Sequence, residues 1–361
     1  MDVVEYKCPN CGAPLAFSPQ AQRLSCEYCG GSFTIQQMKP HYTTLDDAAA
    51  GEEAPASQSS AAEEEFAENT KLYTCTSCGA EIMADTNQTS LFCCYCHSPV
   101  VLSGKMTGKF RPQKIIGFKI SREQAVEKFK EWCFKPFVPK DFKSDQQLEK
   151  ITGLYVPFWL ADCDVDAQFS AIGKKIRRWS SGNYDYTETK EYAVERRASI
   201  QASKIPADGS KNIDDDLMEA IEPFEYGALE DFSMSYLSGF YADKYDMDKD
   251  AMFPRIQNRL NEACKKLIRD SIGSYTSLSV NEEKYNVLKS DIRYALLPVW
   301  FMAYKYKGKL YEFVLNGQTG KIAGTPPLAE KRLSWCCRGL WAACSAAFFA
   351  VIAFIIKGGM F

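Results

Sequence analysis

A chain of 361 residues with 46% apolar side chains is too long and too apolar to be one small module or a disordered tail, and it has material for two or three folded units. A net charge of −3 with a pI near 5.7 excludes a polyanion-binding signature at the level of the whole chain. With only two histidines, His41 and His97, His-based acid–base or triad chemistry has almost nothing to work with.

The first predicted element, residues 1–39, carries Cys8, Cys11, Cys26 and Cys29. After a linker the same spacing returns in residues 71–109 as Cys75, Cys78, Cys93 and Cys96. Both read C-x2-C-x14-C-x2-C, and a shift of 67 residues lays Gly12 on Gly79, Leu24 on Leu91 and Tyr28 on Tyr95. Four thiolates from two tight turns close a tetrahedron around one Zn²⁺ at about 2.3 Å per bond, with no position left for substrate. Two structural Zn²⁺ ions are therefore expected, ahead of a disulfide framework, a thioredoxin-like redox pair or an iron site of rubredoxin type. Gly12, Gly30 and Gly79 follow the second Cys of a pair, where the turn needs positive φ. His97 holds the fourth such position as a turn residue rather than a fifth ligand, and Cys94, opposite Glu27, is a bystander. Each ribbon is too short for its own apolar core, so the metal should supply most of its folding energy.

Residues 40–70 form a linker with eight acidic residues and no Lys or Arg, which predicts an extended, disordered tether for ribbon 1. The ribbons are almost uncharged. Lys7, Arg23 and Lys39 balance Asp2, Glu5 and Glu27, and Lys71, Lys105 and Lys109 exceed Glu81 and Asp85 by one. A nucleic-acid reader neutralises several phosphates, so nucleic acid is a disfavoured partner for them.

Residues 110–328 should form an antiparallel α+β body. Ser121 and Gln124 make a capping box for the helix in SREQAVEKFKEW. The aromatic and β-branched run from Leu154 to Ile200, broken at Ser180 to Asn183, predicts long strands joined by a hairpin. Helices are expected at Asp214–Glu222, where Asp214, Asp215 and Asp216 suit the N-terminal dipole, and at Lys249–Ser271. A final three-strand meander follows. An internal repeat is suggested by YVPFWL against LLPVWF, aligning Pro157 with Pro298 and Trp159 with Trp300, and by Gly117-Phe118 against Gly239-Phe240, with an insertion in the second half. Proline inside a strand calls for an edge or a bulge, and the tryptophans face a core or line a groove. Asp162, Asp164 and Asp166 share one strand face, a solvated face rather than a cation site. No phosphate loop, dinucleotide fingerprint or nucleophile elbow occurs, so binding rather than catalysis is expected.

The chain ends on 18 uncharged residues from Gly339 to Ile356, preceded by Lys331, Arg332 and Arg338. That predicts a single transmembrane helix over 335–357, a tail anchor with the N-terminal bulk in the cytoplasm, where the thiols stay reduced. Cys336 and Cys337 would fill the helix entrance.

The two ribbons, YVPFWL, WSSGNYDYTETKEY, DDDLMEAIEPFEY, YLSGFYADKYDMD and ALLPVWF with LNGQTGKIAG together resemble a bacterial family of transcription-factor-IIB-type zinc-ribbon proteins. The resemblance covers nearly the whole chain. Some members carry names borrowed from primosomal helicase or phage replication proteins, but the helicase motors are absent here. Others resemble membrane-anchored components encoded beside phage-shock-protein-A-like and flotillin/SPFH-type proteins, which implies protein partners of those kinds and a part in a membrane-stress complex. CCYCHS stands where a CPYCG-like end is usual in ribbon 2. The expected function is thus a membrane-anchored zinc-ribbon adaptor. The alternatives are a nucleic-acid-associated ribbon factor and an enzyme with an unrecognised site.

Overall fold

The computed structural model describes residues 7–42, 63, 66, 67, 70–85, 92–96, 98, 100–105, 110–133, 138, 139, 142, 144 and 148–357. Most of the expected acidic linker, and His97, lie outside the described residues.

Ribbon 1 is a three-stranded sheet of β1 (Ala16–Ser18), β2 (Arg23–Ser25) and β3 (Ser32–Phe33), followed by helix α1 (Ile35–Tyr42). Ribbon 2 supplies β4 (Thr70–Cys75), β5 (Glu81–Asp85) and β6 (Val100–Lys105). The body adds β7 (Lys114–Ile115), α2 (Arg122–Trp132), β8 (Thr152–Ser181), β9 (Tyr184–Asp208), α3 (Asp215–Ala220), β10 (Glu230–Asp231), β11 (Tyr241–Asp243), α4 (Lys249–Asp270), β12 (Ser277–Tyr306), β13 (Lys309–Asn316), β14 (Ile322–Gly324) and α5 (Glu330–Lys357). Ser121 and Gln124 form the expected reciprocal capping box of α2, and the side chains of Asp214 and Asp248 accept from the first-turn N–H groups of α3 and α4.

Two expectations are corrected. The fold is mostly β, with 45% strand against 25% helix, not a balanced α+β body. The cause is strand length: β8, β9 and β12 run for 30, 25 and 30 residues, several times the usual five or six. The expected transmembrane helix over 335–357 is also set aside. A helix does cover Glu330–Lys357, but among the described residues none is long and apolar enough to cross a membrane.

The centre is the antiparallel pair β8 and β12, paired from Thr152 opposite Phe301 to Lys174 opposite Ser277 with register shifts between Val280 and Glu282 and between Val287 and Lys289. Around that pair the repeat is real, and its halves are exchanged. β11 runs parallel to β8 at Leu154 and Tyr155, and β7 runs parallel to β12 at Ala295 and Leu296. β9 then pairs β8 from Phe158 opposite Asp208, as β13 pairs β12 from Val299 opposite Asn316. Pro157 and Pro298 therefore lie in central strands, at the joint where one neighbouring strand ends and the next begins. There each proline carbonyl accepts a hydrogen bond from a glycine N–H, Gly209 or Gly317, at 2.8 Å in both halves. Proline's missing N–H costs nothing at such a joint, which is why neither an edge nor a bulge is required.

The same glycines receive the segments leading into the helices. Gly317 O accepts from Lys119 and Ile120, and Gly209 O accepts from Asp246 and Met247. A Cβ on Gly317 would lie 2.6 Å from the Phe118 ring, so the close approach demands glycine. Trp300 Nε1 donates to Ile120 O at 3.0 Å, and Trp159 Nε1 donates to Met247 O at 2.8 Å. Both indoles are buried, which assigns them to the core and not to a groove. The equivalence pairs Phe118 with Tyr245, whose rings lie 5.2 and 5.1 Å from Trp300 and Trp159, and corrects the expected match of Phe118 to Phe240. The added length of the second half is the longer α4 and the lead-in of β12.

Beyond this core β8, β9 and the first half of β12 form a three-stranded arm. α4 lies along one face, with Leu260, Cys264 and Ile268 buried against it. The other face carries Asp162, Asp164 and Asp166. Asp162 Oδ1 accepts from Lys204 N at 2.8 Å and Asp166 Oδ2 from Gln168 Nε2 at 2.9 Å, the solvated strand face that was expected.

Candidate metal centres

Each ribbon builds its centre from two turns that repeat one hydrogen-bond pattern. Cys8 N donates to Ala13 O at 2.7 Å and Gly12 N to Cys8 O at 2.8 Å; Cys75 and Gly79 do the same at 2.9 Å each. Gly12, Gly30 and Gly79 have φ of 74°, 71° and 80°. These are the left-handed positions where a Cβ would be strained. Cys8, Cys11, Cys26 and Cys29 thereby converge, as do Cys75, Cys78, Cys93 and Cys96, with all sulfurs of a cluster within 4.8 Å of one another. Cys8 Sγ lies 3.4 Å from Cys29 Sγ, Cys11 Sγ 3.5 Å from Cys26 Sγ, Cys75 Sγ 3.4 Å from Cys96 Sγ and Cys78 Sγ 3.5 Å from Cys93 Sγ. Bonds of about 2.3 Å to one tetrahedral ion would set sulfurs about 3.8 Å apart, so the two clusters have the size such an ion needs. Among the described residues no other group of His, Cys, Asp or Glu has ligand geometry.

Charge points the same way. A hydrogen bond from the Cys94 thiol, with others from the Cys96 and Tyr95 N–H groups, pulls Cys93 down to about 4, whereas burial pushes Cys78 up. Four thiolates do not ionise together without a cation among them, and a divalent ion supplies that charge. Cys94 stands outside the four-cysteine cluster, as expected, and is buried beside Cys93.

The two centres are mounted differently. Ribbon 2 is continuous with the body, because β5 pairs with β11 at Met83 opposite Ala242 and Ile82 opposite Asp243. Its knuckle is plugged into the core: the Tyr95 ring lies 5.2 Å from Phe301, edge on, and its hydroxyl donates to Asp243 Oδ2 at 2.6 Å. Ser210 also donates to that fully buried carboxylate. Ribbon 1 keeps its own sheet and touches the body through its hairpin. Phe17 N donates to Ser238 O at 3.2 Å, Gln22 Nε2 donates to Phe118 O at 2.6 Å, and Phe17 packs 5.0 Å from Tyr236. The expected tethered head is therefore docked in this structure. Phe66, inside the expected linker, is buried 5.8 Å from Phe232. Tyr28, the counterpart of Tyr95, is 79% exposed. Sequence reasoning missed the socket formed by Asp243, Ser210 and Phe301; the one available signal was an apolar Tyr95 knuckle without the charge that Glu27 gives ribbon 1.

Burial pushes the Asp243 carboxyl up to about 7, although Ser210 and Tyr95 hydrogen bonds oppose it. The folded pKa lies above the ordinary 3.8, so this group's stabilisation is complete at low pH and is lost as pH rises through the folded value. The loss should accrue from about pH 4 to about pH 7, on the order of 1 kcal/mol per pH unit. Urea unfolding across that range should show it, and Asp243→Asn should flatten the slope; an unchanged slope in the variant would assign the dependence elsewhere.

The site defines a class: a β-rich protein with two four-cysteine centres, each able to hold a metal ion. Across 336 residues the chain is 31% identical to the uncharacterized protein YdjG of Bacillus subtilis (strain 168), covering 92% of both chains, and it belongs to that protein's family. No family model matches the chain. No solved structure matches it at a significant level.

Proposed function

We propose that this chain is an adaptor in which two zinc ions hold the ribbons as docking surfaces for partner proteins. The observation that carries the reading is closure: four sulfurs converge in each cluster and no further donor joins them among the described residues. A closed four-thiolate set suits Zn²⁺ as a structural ion and leaves no position for substrate. The metal would contribute folding energy, roughly 10–16 kcal/mol per site in structural zinc peptides. Thiolate ligands support a reducing compartment, the cytoplasm, as its location. The near-neutral ribbons favour proteins over nucleic acid as their partners, and the family resemblance points to phage-shock-protein-A-like or SPFH-type proteins. Elemental analysis of purified full-length protein should find two zinc ions per chain; one ion, or a red iron chromophore, overturns the assignment. A purified phage-shock-protein-A-like protein from the same source should be retained by the intact chain and lost on Cys8→Ser.

A further inference from the structure

The distal end of the arm carries a surface that the ribbons do not explain. Past Ile268 at the end of α4, the hairpin of β8 and β9 continues uncovered to its turn at Gly182. On the face that α4 would have covered, the register sets Gly173 opposite Tyr192, Lys175 opposite Lys190, Arg177 opposite Glu188, Trp179 opposite Tyr186 and Ser181 opposite Tyr184. Directly opposed residues share a face. Trp179 and Tyr186 stack with ring centroids 5.5 Å apart and planes 10° apart. Arg177 lies 5.6 Å from the Trp179 ring, and Lys175 lies 5.6 and 5.4 Å from Tyr192 and Tyr275. Tyr184 is 71% exposed.

The charges on this hairpin are unevenly answered. Glu191 is held by Lys174 at 2.7 Å, Glu188 by Lys190 at 3.3 Å and Asp185 by the Ser180 hydroxyl at 2.6 Å. Among the described residues Lys175, Arg177 and Arg178 have no carboxylate partner. On the proposed face Lys175, Arg177 and Lys190 outnumber Glu188 by two, in a chain whose net charge is −3. From Gly173 to Ser181 the track is about 26 Å long at about 3.3 Å per residue, the reach of several nucleotides. Ring faces beside unpaired cations, set in a line, are what single-stranded nucleic acid requires: bases stack on any π-face while phosphates meet Lys and Arg. A membrane-seeking tip would put apolar residues at its apex, yet Ser180, Ser181, Gly182 and Asn183 are there. A duplex has no free base faces to offer.

We propose that the tip of the β8–β9 hairpin binds single-stranded nucleic acid through Trp179, Tyr184 and Tyr186 for the bases and Lys175 and Arg177, on the same face, for the phosphates. This goes beyond ribbon docking and concerns a separate surface. The test is fluorescence anisotropy of full-length protein with a labelled single-stranded oligothymidylate. Binding should weaken as salt rises. Trp179→Ala and Tyr184→Ala should each weaken it about tenfold, with Trp179→Phe restoring most of the loss. Lys175→Gln with Arg177→Gln should lower the salt slope by about two. Cys8→Ser should leave the affinity unchanged, which separates this site from the ribbons. The proposal is overturned by no binding at low salt, by equal binding to duplex, by tyrosine and tryptophan variants that bind as the parent does, or by tighter binding to phosphatidylglycerol vesicles or to polyglutamate than to the oligonucleotide.

Discussion

Cys75→Ser is expected to lower the stability of the whole chain by at least about 5 kcal/mol, a fall in melting temperature of roughly 10–20 °C, whereas Cys8→Ser should leave the main transition almost in place. The asymmetry comes from mounting and not from the metal. Loss of the ion in ribbon 2 frees Cys75 and Cys93, both buried, loosens the knuckle that seats Tyr95 on Phe301, and leaves the Asp243 carboxyl without one of its donors. It also unpins β5, the partner of β11, whose other neighbour is β8 in the central pair. Damage there reaches the core by backbone hydrogen bonds. Ribbon 1 has a sheet of its own, so loss of its ion should release β1 and β2 from Ser238 and Phe118 and go no further. Calorimetry on both variants, with hydrogen exchange at β1 and β2, reads the difference. Equal losses of stability would mean that ribbon 1 is as deeply built into the body as ribbon 2.

The ligand sets were legible because spacing alone carries them: two Cys pairs separated by a fixed loop, twice. So was the capping box at Ser121, since a cap is a local contact between a side chain and the next turn. The hairpin at Ser180 to Asn183 and the closing meander were legible for the same reason. What could not be read was partnership between distant segments. Nothing near Glu81 states that β5 will pair with β11, and nothing near Tyr95 names Asp243 as its acceptor. The α+β expectation failed because alternation over a short window does not show that β12 continues unbroken for 30 residues. The repeat was visible at the Pro-x-Trp strands. Its Gly-Phe match was five residues out of step, because Phe118 and Phe240 share a type and stack on each other, while the residue that does the work of Phe118 in the other half is Tyr245.

The exchanged halves lead to the second large effect. Trp159→Ala and Trp300→Ala should each cost about 3–5 kcal/mol, and the two costs should agree within about 1 kcal/mol, because each removes one buried indole and one hydrogen bond to a backbone carbonyl. Where each loss is felt should be crossed. Trp159 belongs to the first half but holds Met247, one residue before the Asp248 cap of α4 in the second; Trp300 belongs to the second half but holds Ile120, one residue before the Ser121 cap of α2 in the first. The milder Trp159→Phe keeps an aromatic ring and removes only the donor, leaving Met247 O unsatisfied at a cost of about 1–3 kcal/mol. Hydrogen exchange on that variant should rise at the N-terminus of α4 and stay unchanged at α2, with the reverse in Trp300→Phe. A rise confined to each tryptophan's own half would show that the halves fold side by side, and the interlocked arrangement of β7 on β12 and β11 on β8 would have to be abandoned.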